Sequence, residues 1–590
     1  MESLISRDEL MQSVQRLSDL GQKLSGSPQE ALACDYITDK LSRYGLDFEV
    51  QTYEGYISHG LRGRVDTMLA GETLSLPAEP AGFSAGTPDA GVCGRLVSLS
   101  DAQKSDLAAQ DLDGAIVLVD GTPNYDLGMQ MAAAGALAGL FVSCGKQRHK
   151  TQATALWGSP AIPEDLNRLL PIPLLSINQA DGRQLAALGD GSRVTVLSQV
   201  ETAWRSMRLP VARIGGRRPG FLLAGAHYCT WDKGSTDNVA GAALLLEMAR
   251  LFHARRDQLC YGLQLAWWPG HEQGAYAGSS AYADRHWLEL HRHAIAYLNV
   301  DIVGTRGASL KVMRNHTGEL AQFSHAVLDR LVPQKSEEDA AFAARALRRE
   351  DKYLPADRLA RNSDQSFAGI GLSALQVSSF LPRDNPDHLP NHGLAWWWQS
   401  AYDDVDCVGP DELLQDARIH EALIEGLITR PVLPWRLQAV ADDFAASLRE
   451  YREAWPENED LARLGRAIED FDTLASQWDA VVHAPGFQGN DGIADSVALL
   501  VTRRLNPVLY HRDSAYDFDR TRRNRSLPGL AGALTVATLG PDARRMLAIS
   551  LRRACNRVAH ALNDAQEALI TGLARLRMDE NEADARGGSV

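Results

Sequence analysis

The stretch that most limits how this chain can fold is an apolar run, residues 263–268, which halts at Pro269-Gly270 and is followed at once by His271-Glu272. Apart from Gln264 every position in the run is apolar, the pattern of a strand buried on both faces. Pro-Gly then forces the chain to turn. In open α/β sheets, ligands and reacting groups collect just beyond the carboxyl ends of the strands. A His-Glu pair at such an exit points to metal or acid/base chemistry, although a plain structural turn would look the same.

Two further exits lie nearby. Residues 221–224 read as a strand leading into Gly225-Ala226-His227, and residues 295–300 as a strand ending at Asp301. Between them Asp237-Asn238 is placed to open a long helix, with Leu244, Leu245, Met248 and Leu251 on its apolar face. Imidazole plus carboxylates is a ligand set suited to zinc, and also to manganese, iron or cobalt. Each residue has a bland alternative: Asp237 as a helix N-cap, Asp301 as a turn cap, His227 as a core histidine. Because three of the four follow buried strands directly, His227, Asp237, Glu272 and Asp301 are expected to form one site.

The rest of the chain frames this unit. Its 590 residues are too many for one hydrophobic core. Residues 7–45 read as helical, with Ser27-Pro28-Gln29-Glu30 fitting a capping box and Gly45 a helix stop. Residues 60–200 change texture to short β-like runs around an Ala/Gly-rich helix, as in an inserted β-rich module. Residues 334–361 are charge-rich, expected as helix and loop. Beyond residue 410 the chain reads as mostly helical, and the polar tail, residues 579–590, as disordered.

A net charge of -15 argues against broad nucleic-acid binding. No apolar run approaches the roughly 18–20 residues of a membrane helix. The seven cysteines are scattered and lack CxxC spacing, which favours reduced thiols. No signal-like segment follows Met1. A cytoplasmic protein is the expectation.

The site segments together resemble a known family, the zinc metallo-aminopeptidases that include bacterial leucyl aminopeptidases, glutamate carboxypeptidase and the transferrin receptor. The resemblance is carried by Ala224-Gly225-Ala226-His227-Tyr228-Cys229, Gly234-Ser235-Thr236-Asp237-Asn238-Val239-Ala240-Gly241, Gly270-His271-Glu272-Gln273-Gly274 with Gly278-Ser279, and Asn299-Val300-Asp301. It implies an α/β fold: a mixed-sheet, phosphorylase/hydrolase-like aminopeptidase domain over residues 1–58 and 205–415. It further implies an inserted β-rich protease-associated domain over 59–204 and a C-terminal helical domain over 430–580 that mediates homodimerisation.

By the same resemblance His227, Asp237 and Asp301 hold one divalent metal, most naturally zinc, and Asp237 with Glu272 and a late His hold a second. This sequence departs from the pattern in three places. His271 stands where the family has its catalytic Glu, Gln399 where it has the late His, and Cys229 where an Asp orients the first His. The implied function is a metal-dependent hydrolase cutting a peptide or other amide, with one or two ions, a depleted second site, and His271 and Glu272 as catalytic groups. His271 suits proton transfer near neutrality, but it could instead turn inward as a ligand, and His392 is a spare imidazole. The alternatives are a metal-dependent enzyme of different reaction on this scaffold and a non-catalytic, receptor-like homologue.

Overall fold

The structure is a computed structural model that describes residues 4–69, 71–332, 363–390, 393–487, 492–520 and 525–587. The charge-rich stretch expected as helix and loop, and His392, lie outside the described residues.

Twelve strands form one connected sheet. In chain order they are β1 (Asp47–Leu69), β2 (Glu72–Pro80), β3 (Val92–Leu99), β4 (Ala115–Asp120), β5 (Ala138–Val142), β6 (Leu174–Ile177), β7 (Arg193–Ile214), β8 (Phe221–His227), β9 (Gly262–Trp268), β10 (Ala294–Asn299), β11 (Leu310–Arg314) and β12 (Ser373–Phe380). Strands β9, β8, β10 and β12 are successive parallel neighbours, flanked by antiparallel β7 on one side and β11 on the other.

The central strands are buried at every position because both faces are covered. Along β9, Leu263, Leu265 and Trp267 enter one core, with the helices Arg7–Asp19, Pro28–Tyr44, Ala240–Ala254 and Pro410–Ile428. Ala266 and Trp268 enter the other, against Ala277–Arg285. This is the two-residue alternation of a strand with helices on both sides. Trp267, Trp268 and Trp397 are all fully buried.

Strands β1 and β7 pair antiparallel from Asp47↔Arg213 to Thr67↔Val194. The boundaries expected at residues 58/59 and 204/205 therefore fall inside two unbroken strands. Their far ends join β2, β6, β5, β4 and β3 in a ring of pairings with its own apolar interior of Leu96, Ile116, Leu140 and Leu175. Strand β1 is Gly-interrupted and half exposed, so a strand-like alternation shows in its sequence only near its start, over residues 48–51.

The C-terminal helices Leu437–Ala454, Glu459–Val482, Ile493–Leu509 and Pro541–Gly587 enclose a separate core containing Phe444, Phe471, Trp478 and Leu562. The tail expected to lack structure instead continues the last helix to Gly587. Its Glu and Arg residues are polar yet, like its Ala residues, good helix formers, and they extend a helix already nucleated.

Ser27 caps the helix Pro28–Tyr44 as expected, accepting from Glu30 N at 3.2 Å. Glu30 reaches back one residue further than a capping box would, to Gly26 N at 2.7 Å.

One buried ion pair fixes the sheet edge nearest the site. Lys311 Nζ on β11 lies 2.6 Å from Asp416 Oδ1 on helix Pro410–Ile428, both side chains almost wholly buried. Asp416 also accepts from Gly304 N at 2.8 Å, which anchors the loop leaving Asp301. Removing one partner leaves a buried charge uncompensated, a loss of about 3–5 kcal/mol. Chemical denaturation of Lys311→Met should show a loss of that order, and the double variant Lys311→Met/Asp416→Asn, whose amide oxygen still accepts from Gly304 N, should recover part of it.

Candidate metal centre

Each of the three parallel strands β8, β9 and β10 ends on the same edge and delivers one part of the site. His227 is the last residue of β8. Its Nδ1 lies 3.0 Å from the carbonyl oxygen of Cys229. A carbonyl only accepts, so Nδ1 carries the proton and Nε2 presents a lone pair. The backbone of Cys229, not its side chain, thus orients this imidazole.

Nε2 of His227 faces Asp237 Oδ1 at 3.2 Å and Asp301 Oδ1 at 3.5 Å. Neither contact has hydrogen-bond geometry: among the described residues His227 Nε2 and Asp301 Oδ1 are both buried without a hydrogen-bond partner. Glu272 Oε1 is buried and unpartnered as well. His227, Asp237 and Asp301 form one group of converging ligand atoms, and His227, His271 and Glu272 a second, with all atoms of a group within 4.8 Å of one another.

Asp237 does not cap a helix. The helix starts at Ala240, and Asp237 and Asn238 have non-helical backbone angles. The turn is held from outside by Asp403, which accepts from Thr236 N at 2.9 Å, Thr236 Oγ1 at 2.9 Å and Asp237 N at 3.2 Å. Gln399 stands beside it and donates through Nε2 to Asp237 Oδ2 at 3.3 Å.

Asp301 is held by a chain of hydrogen bonds rooted in the sheet. Trp268 Nε1 donates to Tyr297 OH, which donates to Asn299 Oδ1; Asn299 Nδ2 donates to Ser363 Oγ, which donates to Asp301 Oδ2. This leaves Oδ1 of Asp301 facing His227.

The turn carrying His271 and Glu272 is shaped by Gly270, Ala275 and Tyr276, all with left-handed φ. At Gly270 a Cβ would stand 2.9 Å from Met207 Sδ and 3.0 Å from Ala277 Cβ. Gln152, from the loop between β5 and β6, clamps the turn: its Nε2 donates to the His271 carbonyl and its Oε1 accepts from Ala275 N, each at 3.0 Å. The His271 ring stacks on His227 with centroids 3.7 Å apart, and its Nδ1 lies 2.7 Å from Asp364 Oδ2.

The electrostatics is that of an unneutralised cluster. Burial and the neighbouring Asp237 push the Glu272 carboxyl well above its usual range. Burial opposes charge on His227, yet Asp237 and Asp301 overcome it and hold that imidazole well above the usual value. Burial, opposed by the hydrogen bonds from the Thr236–Asp237 turn, raises Asp403 to about 7. Buried carboxylates are costly unless paired with a cation or a metal. The unpartnered donor atoms, the mixed N/O set and the burial therefore fit a divalent ion such as zinc.

All of the residues expected to form the site come together here. Asp364, Ser363, Asp403 and Gln152 were not anticipated as site residues. They are ordinary polar residues in loops, and none stands at a strand exit of the main sheet.

Residues 211–415 match the family model described as Peptidase family M28. That match spans about a third of the chain and includes every residue of the cluster described above except Gln152. Over 300 residues the chain is 25% identical to Aminopeptidase YwaD of Bacillus subtilis (strain 168), covering 50% of this chain and 61% of that protein. Over 142 residues it is 29% identical to Leucine aminopeptidase 2 of Arthroderma otae, covering 22% of this chain and 27% of that protein. The chain thus spans less than two thirds of either relative.

In structure it is similar to BSAP, a zinc aminopeptidase from Bacillus subtilis, with a TM-score of 0.54 at 18% identity over 72% of this chain and 96% of that one. It is also similar to the Peptidase M28 precursor from Shewanella amazonensis SB2B, with a TM-score of 0.50 at 16% identity over 71% and 95%. At such identities these likenesses show the mixed α/β fold alone.

The Asp403 contacts make a checkable statement about metal affinity. Partners that orient a ligand typically contribute 10–100-fold to metal binding. Asp403→Ala should weaken zinc retention by about that factor in a competitive chelator titration, with little change in circular dichroism.

Proposed function

We propose that this protein is a metal-dependent hydrolase that cleaves a peptide or related amide bond. The observation that carries the reading is the convergence of His227, Asp237 and Asp301, with Glu272 beside them, as buried and incompletely partnered donors just beyond three parallel strands. The match of residues 211–415 to the M28 family model supports a peptide as the substrate class, as do aminopeptidase relatives.

His227, Asp237 and Asp301 hold the principal ion, and Glu272 either ligates a second or orients water. A divalent ion in that position supplies Lewis acidity, which polarises an amide carbonyl and makes water easier to deprotonate. The protein supplies the proton handling. His271 takes the place of the family's carboxylate base: it accepts a proton from the attacking water and returns one to the departing amine. Gln399 offers the Asp237 carboxylate an amide N–H, a poor substitute for an imidazole ligand, so the second site is depleted.

In this reading the ring of strands built on β1 and β7 is a protease-associated insert. The C-terminal helices mediate a homodimer of a cytoplasmic protein. Among the described residues no helix is long and apolar enough to cross a membrane.

Zinc- or manganese-reconstituted protein should hydrolyse members of a panel of aminoacyl-p-nitroanilides and short peptides. Loss of a general base typically lowers turnover by about 10²–10⁴-fold, so His271→Ala should reduce kcat by that factor while retaining its metal. Absence of hydrolysis across the panel with metal bound would overturn the peptidase reading. Full activity in His271→Ala would remove His271 from the chemistry.

A further inference from the structure

Among the described residues, the one side chain that hydrogen-bonds a ring nitrogen of His271 is Asp364, and the proposed reaction so far gives it no part. Asp364 Oδ2 lies 2.7 Å from His271 Nδ1. The Asp364 side chain is wholly buried. Among the described residues its other oxygen, Oδ1, has no hydrogen-bond partner. A carboxylate placed in the interior with a single partner is costly, so a purely structural Asp is poorly served here. An orienting Asp needs only the one contact it has.

The rest of the His271 environment fixes the ring without occupying its second nitrogen. Its face lies on His227 at 3.7 Å and 15°. The Tyr276 ring meets it edge-on at 4.9 Å and 83°. Its main-chain N–H donates to Cys229 Sγ at 3.3 Å, and its carbonyl accepts from Gln152 at 3.0 Å. All of these contacts set position, while only Asp364 can select a tautomer. A carboxylate accepts and does not donate, so the His271 proton must sit on Nδ1, leaving Nε2 as a bare lone pair.

We propose that Asp364 is a positioning residue that holds His271 in the Nδ1–H tautomer with Nε2 free, so that an Asp–His dyad replaces the single carboxylate base of the family. What the dyad does rests on the hydrolase reading above; that the dyad exists does not. The pair also accounts for the substitution at residue 271. A glutamate there would place a second carboxylate against buried Asp364, whereas an imidazole turns the contact into a donor–acceptor pair.

The test uses the full chain, zinc-loaded and labelled with 15N-histidine, with His271→Asn serving to assign the resonance. Wild type should show His271 protonated at Nδ1 and unprotonated at Nε2. In Asp364→Ala the proton should redistribute to Nε2, and kcat on an aminoacyl-p-nitroanilide should fall about 10–100-fold with KM and bound zinc unchanged. Asp364→Glu should recover part of the loss. Asp364→Asn, of the same shape, guards against a folding defect, since its amide oxygen can still accept from Nδ1 without the carboxylate's charge. It should fold with an unchanged melting temperature and lose kcat.

A wild-type His271 protonated at Nε2, or an unaltered tautomer in Asp364→Ala, would overturn the proposal. So would loss of zinc in Asp364→Ala, which would make His271 a ligand. A wild type that hydrolyses nothing would count against the hydrolase reading instead, and the tautomer measurement would still decide the dyad.

Discussion

The site depends on the mutual proximity of buried acids. Asp237, Asp301 and Glu272 are brought around one imidazole in a space that water scarcely reaches. Buried acids in such proximity are unfavourable unless a cation balances them, and burial together with Asp237 pushes the Glu272 carboxyl well above its usual range. The fold can hold the cluster because each acid is fixed from behind: Asp237 by the turn that Asp403 organises, Asp301 by the relay from Trp268 through Ser363, and Glu272 by a turn of left-handed residues. Such rigid spacing of mixed nitrogen and oxygen donors is the structural form of a metal site.

The β-rich module contributes more than a lid resting on the sheet would. Strands β1 and β7 run unbroken from the main sheet into it, so the two share backbone hydrogen bonds as well as a surface. Through Gln152 it grips the His271 turn by both its carbonyl and an amide. Lys150 N also donates to the Gln399 carbonyl at 2.9 Å. The loop between β5 and β6 therefore touches two of the three positions at which this sequence departs from the family pattern.

Much of this was legible in the sequence, for identifiable reasons. The strands β8, β9 and β10 are buried on both faces and show as apolar runs, and their exits bear His227, His271-Glu272 and Asp301. The helical C-terminal region shows in its three-and-four spacing. Other features were hidden. Strand β1 is long, Gly-interrupted and half exposed, so only its start carries an alternating pattern. Asp237 resembles an N-cap in sequence because the long-range contact from Asp403 that holds its turn, 166 residues away, has no local signature. Asp364 follows a charge-rich stretch in a run of small polar residues and becomes meaningful only when His271 is placed beside it.

The central claim is that the cluster around His227 exists to hold a divalent ion. Elemental analysis of full-length protein purified without a metal-affinity tag, and of His227→Ala beside it, tests this most directly. The account predicts about one equivalent of metal per wild-type chain, with the weakened second position largely empty, and its loss in the variant. Wild-type protein that takes up no zinc or manganese, even on reconstitution, would contradict it.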